Sequence, residues 1–259
     1  MILKRKVFDV INYLFSTESK MKGDKINMKT IGLIGGMSWE STTEYYKIIN
    51  QEIKKQLGGL HSAKCILYSV DFHEIEKLQS LGEWVKAGEI LGGIAKSLEK
   101  AGANFIVICT NTMHKVVEDV QLNIGIPILH ISDATAKAIK HTNIHTVGLL
   151  GTKYTMEQDF YKSRLESQGI NVVVPNSEDR DIINKIIFNE LCLGNPKEKS
   201  REYFKNIIQD LVYTRAEGII LGCTEIGLLI KPKDSTVPLF DTTYIHAEEA
   251  TKIALEEND

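Results

Sequence analysis

Two six-residue stretches decide how this chain is read: Thr30-Ile-Gly-Leu-Ile-Gly35 and, 116 positions later, Thr146-Val-Gly-Leu-Leu-Gly151. Each is a short apolar run without charge, the pattern of a strand buried on both faces of a parallel sheet. Similar runs follow each of them, at 63–70, 105–109 and 126–131 in the first half and at 171–174, 218–221 and 237–240 in the second. Between the runs lie longer stretches with helical spacing, at 39–56, 83–100, 133–140, 156–168, 179–192, 198–214 and 244–256. This alternation predicts parallel α/β architecture.

The two halves can be laid on each other. NFIVICT around Phe105 resembles EGIILGCT around Ile219, IPIL at Ile126 resembles VPLF at Val237, and a weaker match links Cys65 to Val172. Four matches in one order at similar offsets predict a duplication. The expected fold class is α/β, with two pseudo-symmetric Rossmann-like lobes, mostly parallel sheets and a site in the cleft between them. The first lobe is expected over 28–125 together with 236–259, and the second over 126–235. Residues 1–27 stand apart. Leu3, Val7, Val10, Ile11 and Leu14 fall at helical spacing, so an amphipathic helix over 2–15 and a polar linker are expected there.

Composition narrows the function. The 259 residues carry 31 Lys and Arg against 34 Asp and Glu, a net charge of −3, which argues against a nucleic-acid surface. No run of about 18 apolar residues occurs, so no membrane span is expected. The four cysteines form no CxxC pair and no Cys/His cluster with zinc spacing, which fits a reduced, cytoplasmic chain without a metal site. Neither a P-loop nor GxGxxG is present, so no cofactor is expected.

Ligands of open α/β sheets bind at the carboxyl ends of the strands. The segments at those ends are Gly35-Gly36-Met37-Ser38, Cys109-Thr110-Asn111-Thr112-Met113-His114, Gly151-Thr152-Lys153-Tyr154-Thr155 and Cys223-Thr224-Glu225. Their hydroxyl, amide and thiol groups would need partners in a core, and two such loops in matched positions point to one cleft. A thiol with a free pKa near 8.5 can give or take a proton at neutral pH. Two proton-transfer groups on opposite walls could remove a hydrogen from one face of a carbon and return it to the other. The rival chemistry is covalent catalysis by Cys223 with His114 or His246 as its base.

The motifs IGLIGGMSWEST, ICTNTMH, LGTKYTMEQDFY and LGCTEIGLLI, spread from Met28 to about Glu256, resemble the aspartate/glutamate racemase family, which works without pyridoxal phosphate. The chain looks most similar to bacterial broad-specificity amino-acid racemases. The resemblance implies two α/β lobes, a site between them, a small amino-acid substrate and a homodimer. It also implies one acid/base cysteine from each lobe. The second maps to Cys223. The first does not map to a cysteine: the family pattern sets it directly before Asn-Thr, where this chain has Thr110, with Cys109 one position earlier. The internal repeat leaves both registers open, since Cys109-Thr110 also aligns with Cys223-Thr224. Neighbours on a strand point to opposite faces, and the NTMH context selects Thr110 for the cleft and Cys109 for the core.

By this resemblance Cys223 takes the α-proton of the L-enantiomer of aspartate or glutamate, and Thr110 serves the opposite face. Gly36, Met37, Asn111, Thr112, Thr152, Thr155 and Thr224 would hold the α-carboxylate and amino group. Lys153 is the candidate for the side-chain carboxylate, His114 either orients the ICTNT loop or is structural, His73 has no assigned role, and Trp39 and Tyr45 are expected to pack. With one cysteine replaced, the same residues would also suit an amino-acid-binding homologue without turnover, or a decarboxylase or isomerase of the same superfamily.

Overall fold

A computed structural model describes residues 27–256, so the helix and linker expected over 1–27 lie outside the described residues except for Asn27. The first half runs β1 (Ile31–Gly35), α1 (Trp39–Leu57), β2 (Cys65–Ser69), α2 (Phe72–Ser80), α3 (Trp84–Lys100), β3 (Phe105–Ile108), a 3₁₀ turn at Thr112–Val116, α4 (Val117–Gln121), β4 (Ile128–Leu129) and α5 (Ile131–Lys140). The second half runs β5 (Thr146–Gly151), α6 (Lys153–Glu157), α7 (Asp159–Glu166), β6 (Asn171–Val173), α8 (Ser177–Asn189), a 3₁₀ turn at Leu191–Leu193, α9 (Glu198–Tyr213), β7 (Gly218–Gly222), α10 (Ile226–Leu229), a 3₁₀ turn at Pro232–Asp234, β8 (Leu239–Asp241) and α11 (Thr242–Leu255).

The strands form two four-stranded sheets in the orders β2-β1-β3-β4 and β6-β5-β7-β8, with every pair parallel. The second order is the first shifted by four strands, so the sequence repeat is a repeat of topology. The matched glycines of TIGLIG and TVGLLG have a packing reason. A Cβ on Gly32 would lie 2.9 Å from Ala103 Cβ and 2.7 Å from Ile106 Cδ1, and one on Gly148 would lie 2.7 Å from Ile219 Cδ1 and 2.9 Å from Leu211 Cδ1. In both lobes the central strand has given up a side chain so that its neighbours can close over it.

The strand at 126–131 was expected in the second lobe and that at 237–240 in the first, and the structure corrects both assignments. Ile128 pairs with Ile106 of β3, and Leu239 pairs with Ile219 of β7. Each short strand extends the sheet that precedes it, because the backbone groups on that edge need partners. The crossing comes one element later. Ile131, Ala136 and Ile139 of α5 join the core of the second lobe, while Ala247, Ala250 and Ala254 of α11 pack with Tyr45, Ile49 and Ile53 of α1 in the first. Between α5 and α11, Lys137 pairs with Glu249 at 2.5 Å.

Helix α2 was not among the expected helices. Only Ile75 and Gln79 of its nine residues are buried, too few to show a helical period. Its readable signal is the cap: Asp71 Oδ1 accepts from His73 N at 3.1 Å. The helix expected at 156–168 is two, α6 and α7, which break at Gln158 where the backbone is extended.

Alanine at position 32 or 148 overpacks a closed site and is expected to cost about 1–3 kcal/mol in urea unfolding. Gly93, inside α3, serves as the control, because a Cβ added there would meet nothing within 4 Å. Gly93→Ala is expected to stabilise by about 0.5–1 kcal/mol. Equal effects at Gly32 and Gly93 would refute the packing argument.

Candidate active site

The ends of β1, β3, β5 and β7 converge on one narrow cavity. Met37, Thr110, Asn111, Thr112, Thr152 and Cys223 of the expected set lie in its wall, so residues more than a hundred positions apart face one another across the two lobes. After β1 the chain turns at Gly36, whose φ of +90° is left-handed backbone that favours glycine. Gly36 N donates to Thr42 Oγ1 at 2.9 Å, and Ser38 then caps α1.

After β3 the side chains alternate as a strand requires. Cys109 is fully buried among Ile31, Leu33, Tyr45 and Val107, and burial pushes its thiol pKa up. Thr110, next in line, reaches the cavity. Asn111 Nδ2 donates to Thr242 Oγ1 at 3.0 Å, and the hydroxyls of Thr112 and Thr152 are 2.9 Å apart across the lobes. Thr152 also caps α6 by accepting from Thr155 N at 3.3 Å.

After β7 come Cys223, Thr224 and Glu225. The Cys223 thiol donates to Glu225 Oε2 at 3.0 Å, and Thr224 Oγ1 donates to the same oxygen at 2.9 Å. Ser38, from the other lobe, donates to Oε1 through its hydroxyl at 2.6 Å and its N–H at 3.3 Å. Burial raises the Cys223 thiol well above its ordinary pKa, and the Glu225 carboxylate adds to the rise. Cys223 is therefore a protonated thiol in this arrangement.

Some expected residues sit elsewhere. Gly36 borders a wider outer cavity rather than the inner one. Thr155 is fully buried behind Thr152, and the Thr224 hydroxyl is engaged by Glu225. Lys153 is removed as a side-chain carboxylate ligand: it pairs with Asp181 at 2.5 Å and borders a separate surface hollow with Glu157, Lys162 and Arg180. Trp39 is 66% exposed, not packed, whereas Tyr45 is fully buried. His73 borders the outer cavity.

Sequence reasoning missed Gln79, Phe72, Phe188, Cys192 and Glu225, all in the inner wall. Gln79 Nε2 donates only to Met113 Sδ, at 3.0 Å, a weak acceptor that leaves the amide free to bind something better. Phe72 of α2 and Phe188 of α8 stack with ring centres 6.4 Å apart and border both cavities. The inner cavity is nearly closed, with a volume of about 20 Å³, and the outer one has a volume of about 550 Å³. Among the described residues, neither cavity has a Lys or Arg in its wall.

Behind Thr110 lies a buried histidine trio. His114 Nδ1 donates to the Thr110 carbonyl at 2.8 Å, and its Nε2 accepts from Ile131 N at 3.2 Å. His246 has the opposite tautomer: Nε2 donates to the Leu129 carbonyl at 2.9 Å, and Nδ1 accepts from Tyr45 O–H at 2.8 Å. His130 Nδ1 accepts from Ser132 N, and its ring lies 4.6 Å from that of His114. His114 thus ties the loop carrying Thr110 to the start of α5, where the chain crosses lobes. Burial lowers all three pKa values, His114 to about 4 and His246 to about 3.

No group of three or more His, Cys, Asp or Glu among the described residues is placed to hold a metal ion, and no described helix is long and apolar enough to cross a membrane.

Comparison with known proteins gives a consistent picture. Residues 34–250 match the family model described as Asp/Glu/Hydantoin racemase. The broad specificity amino-acid racemase RacX of Bacillus subtilis is 24% identical, over 82% of this chain and 92% of its own. A crystal structure of a provisionally named Asp/Glu racemase from Yersinia pestis is 57% identical with a TM-score of 0.82, covering 88% of this chain and all of the other. A crystal structure of an aspartate racemase homologue from Pyrococcus horikoshii is 41% identical with a TM-score of 0.75 over the same shares.

The buried histidines make acid stability a test of this geometry. Each takes up a proton near pH 6.5 when unfolded but resists it when folded. Its stabilising effect is complete above that pH and lost as pH falls toward 4. The expected loss between pH 7 and pH 5 is about 2 kcal/mol per histidine. His114→Gln should shrink the pH-dependent drop in urea stability by that amount; an unchanged drop would count against a neutral, buried His114.

Proposed function

The chain belongs to the Asp/Glu/hydantoin racemase family, and we propose that it inverts the α-carbon of aspartate or glutamate by moving one proton off one face and another onto the opposite face. The observation that carries the reading is that Thr110 and Cys223, following the equivalent strands β3 and β7 of the two lobes, border the same cavity. The chain is an isomerase of the amino-acid racemase kind. The substrate and the Thr/Cys division of labour are the finer proposal.

The α-proton of an amino acid is weakly acidic, so the carbanion that forms must be stabilised where its charge develops. Its electron pair delocalises into the α-carboxylate. The loops after the strand ends offer N–H and hydroxyl donors for that group at Asn111, Thr112 and Thr152. Hydrogen bonds from neutral donors aimed at an anion in a buried site are strong, because water does not compete. The side-chain carboxylate would be held the same way, with the Gln79 amide as the readiest donor, since no described Lys or Arg lines the wall. The narrow cavity and the Phe72–Phe188 stack limit access of water to the carbanion.

The two proton-transfer groups are unequal. A threonine hydroxyl is far less acidic than a thiol and is a poor base. Cys223 is therefore the better base of the two; as the family resemblance implies, it takes the proton from the L-enantiomer, and Thr110 donates on the other face, directly or through a water it positions. Racemisation has an equilibrium constant near one, so this asymmetry shows in kcat and KM separately and in proton exchange, not in kcat/KM at equilibrium.

Incubation of L-aspartate or L-glutamate in D₂O tests the reading. Wild type is expected to exchange the α-proton, and Cys223→Ala to lose at least about 100-fold of that rate, the scale of one acid/base group. Cys109→Ala should leave exchange within about threefold, because Cys109 belongs to the core. Undiminished exchange in Cys223→Ala would overturn the assignment. Binding of both enantiomers without exchange would favour a binding protein instead.

A further inference from the structure

The geometry points to the stacked pair Phe72 and Phe188 as the residues that set how long a substrate side chain this site accepts: the rings form a partition that an amino acid longer than glutamate must part in order to sit between Thr110 and Cys223. This rests on the reading of the inner cavity as the place where the α-carbon is held.

The inner cavity has a volume of about 20 Å³. That is less than the share of one water in the liquid, about 30 Å³. An amino acid is larger than several waters, so part of the wall must give way when one binds. Most of the wall is tied down. Thr112 is bonded to Thr152 across the lobes, Asn111 to Thr242, and Glu225 to Ser38. Met37 and Ile187 are buried in the cores of their lobes.

Phe72 and Phe188 differ on each count. Their side chains have no polar atom to bond, and both are half-buried. Each packs on the core of its own lobe, so the contact between them is an apolar one made across the lobes, with ring centres 6.4 Å apart and planes inclined by 20°. Among the described residues, these two rings and Cys192 are common to the walls of both cavities. Beyond them lies the outer cavity of about 550 Å³, with room for a long side chain.

Length is therefore sorted at the rings. A short side chain needs only a shift of the rings toward the outer cavity. A longer one must pass between them. One ring belongs to each lobe, so parting the stack spreads the lobes there and works against the Thr112–Thr152 and Ser38–Glu225 bonds that close them. The outer wall then makes a second choice. It carries Glu40, Asp71 and Glu76 beside His73, without a described Lys or Arg, and Glu40 Oε2 is buried with no hydrogen-bond partner. A side chain that crosses the partition meets carboxylates, which favour an ammonium end over a carboxylate end.

Calorimetric binding of L-aspartate, L-glutamate, L-2-aminoadipate and L-lysine to the full chain reads the partition, and α-proton exchange in D₂O reads turnover separately. In the wild type, L-2-aminoadipate, one methylene longer than L-glutamate at the same charge, is expected to bind at least about tenfold more weakly than L-glutamate. Phe188→Ala and Phe72→Ala each remove one ring. Each is expected to bring L-lysine at least about tenfold closer to L-aspartate in affinity, with a smaller gain for L-2-aminoadipate. The readout is a ratio within one protein, which a merely structural loss does not move. Equal binding of L-glutamate and L-2-aminoadipate in the wild type, or an unchanged lysine-to-aspartate ratio in both variants, refutes the partition. The wild-type comparison decides even if neither variant folds. Length-sorted binding without exchange of any of the four amino acids would uphold the partition and refute the racemase reading; exchange with no sorting by length would do the reverse.

Discussion

Everything in this molecule depends on two parallel sheets being closed against each other by an exchange of helices. Parallel strands present all their carboxyl ends on one side, with the loops that follow them. The chain leaves the first sheet after β4 to place α5 on the second lobe, and leaves the second after β8 to return α11 to the first. Each lobe thus supplies a helix to the neighbourhood of the other. The two sets of strand ends cannot turn away from one another without breaking that packing, so one cavity receives residues from four strand ends.

The crossing points are polar and buried, which is costly unless each group is paired. His114 and His246 meet the requirement as neutral rings, each nitrogen a donor or an acceptor according to its partner, whereas His130 Nε2 is buried without a partner. His114 donates to the carbonyl of Thr110 and accepts from Ile131 N, so it joins the loop that carries Thr110 to the helix that crosses. His246 joins α11 to β4 and, through Tyr45, to α1. A charged lysine or an apolar side chain at either position could not make both bonds. Stability and placement of Thr110 are therefore set by the same few hydrogen bonds.

The cavity itself is poor in positive charge. Its fixed carboxylate, Glu225, is satisfied by four neutral donors from two lobes. The Cys223 thiol in such a place meets a carboxylate rather than a cation. The stacked Phe72 and Phe188, one from each lobe, stand between this cavity and the wider outer one, so the apolar barrier and the meeting of Thr110 with Cys223 across the cavity are assembled by the same closure.

The alternation of apolar runs and helical stretches, with the doubled TIGLIG and TVGLLG, was enough to determine two parallel α/β lobes and to point to the segments after β1, β3, β5 and β7. These are local properties: strand period, glycine where a neighbour must close in, and small polar residues where a strand ends. The alternation of neighbouring side chains likewise placed Thr110 and Cys109 on opposite faces from sequence alone. Helix α2 carries too few buried residues to show a period, so Phe72 and Gln79 went unread. Glu225 follows a legible motif, but its meeting with Ser38 joins positions 187 residues apart that no spacing rule connects. The sheet that each short strand joins, the displacement of Lys153 to a surface pair with Asp181 and the absence of a cation from the described cavity wall were decided only by the tertiary structure, because each depends on which groups distant parts of the chain bring within hydrogen-bonding distance.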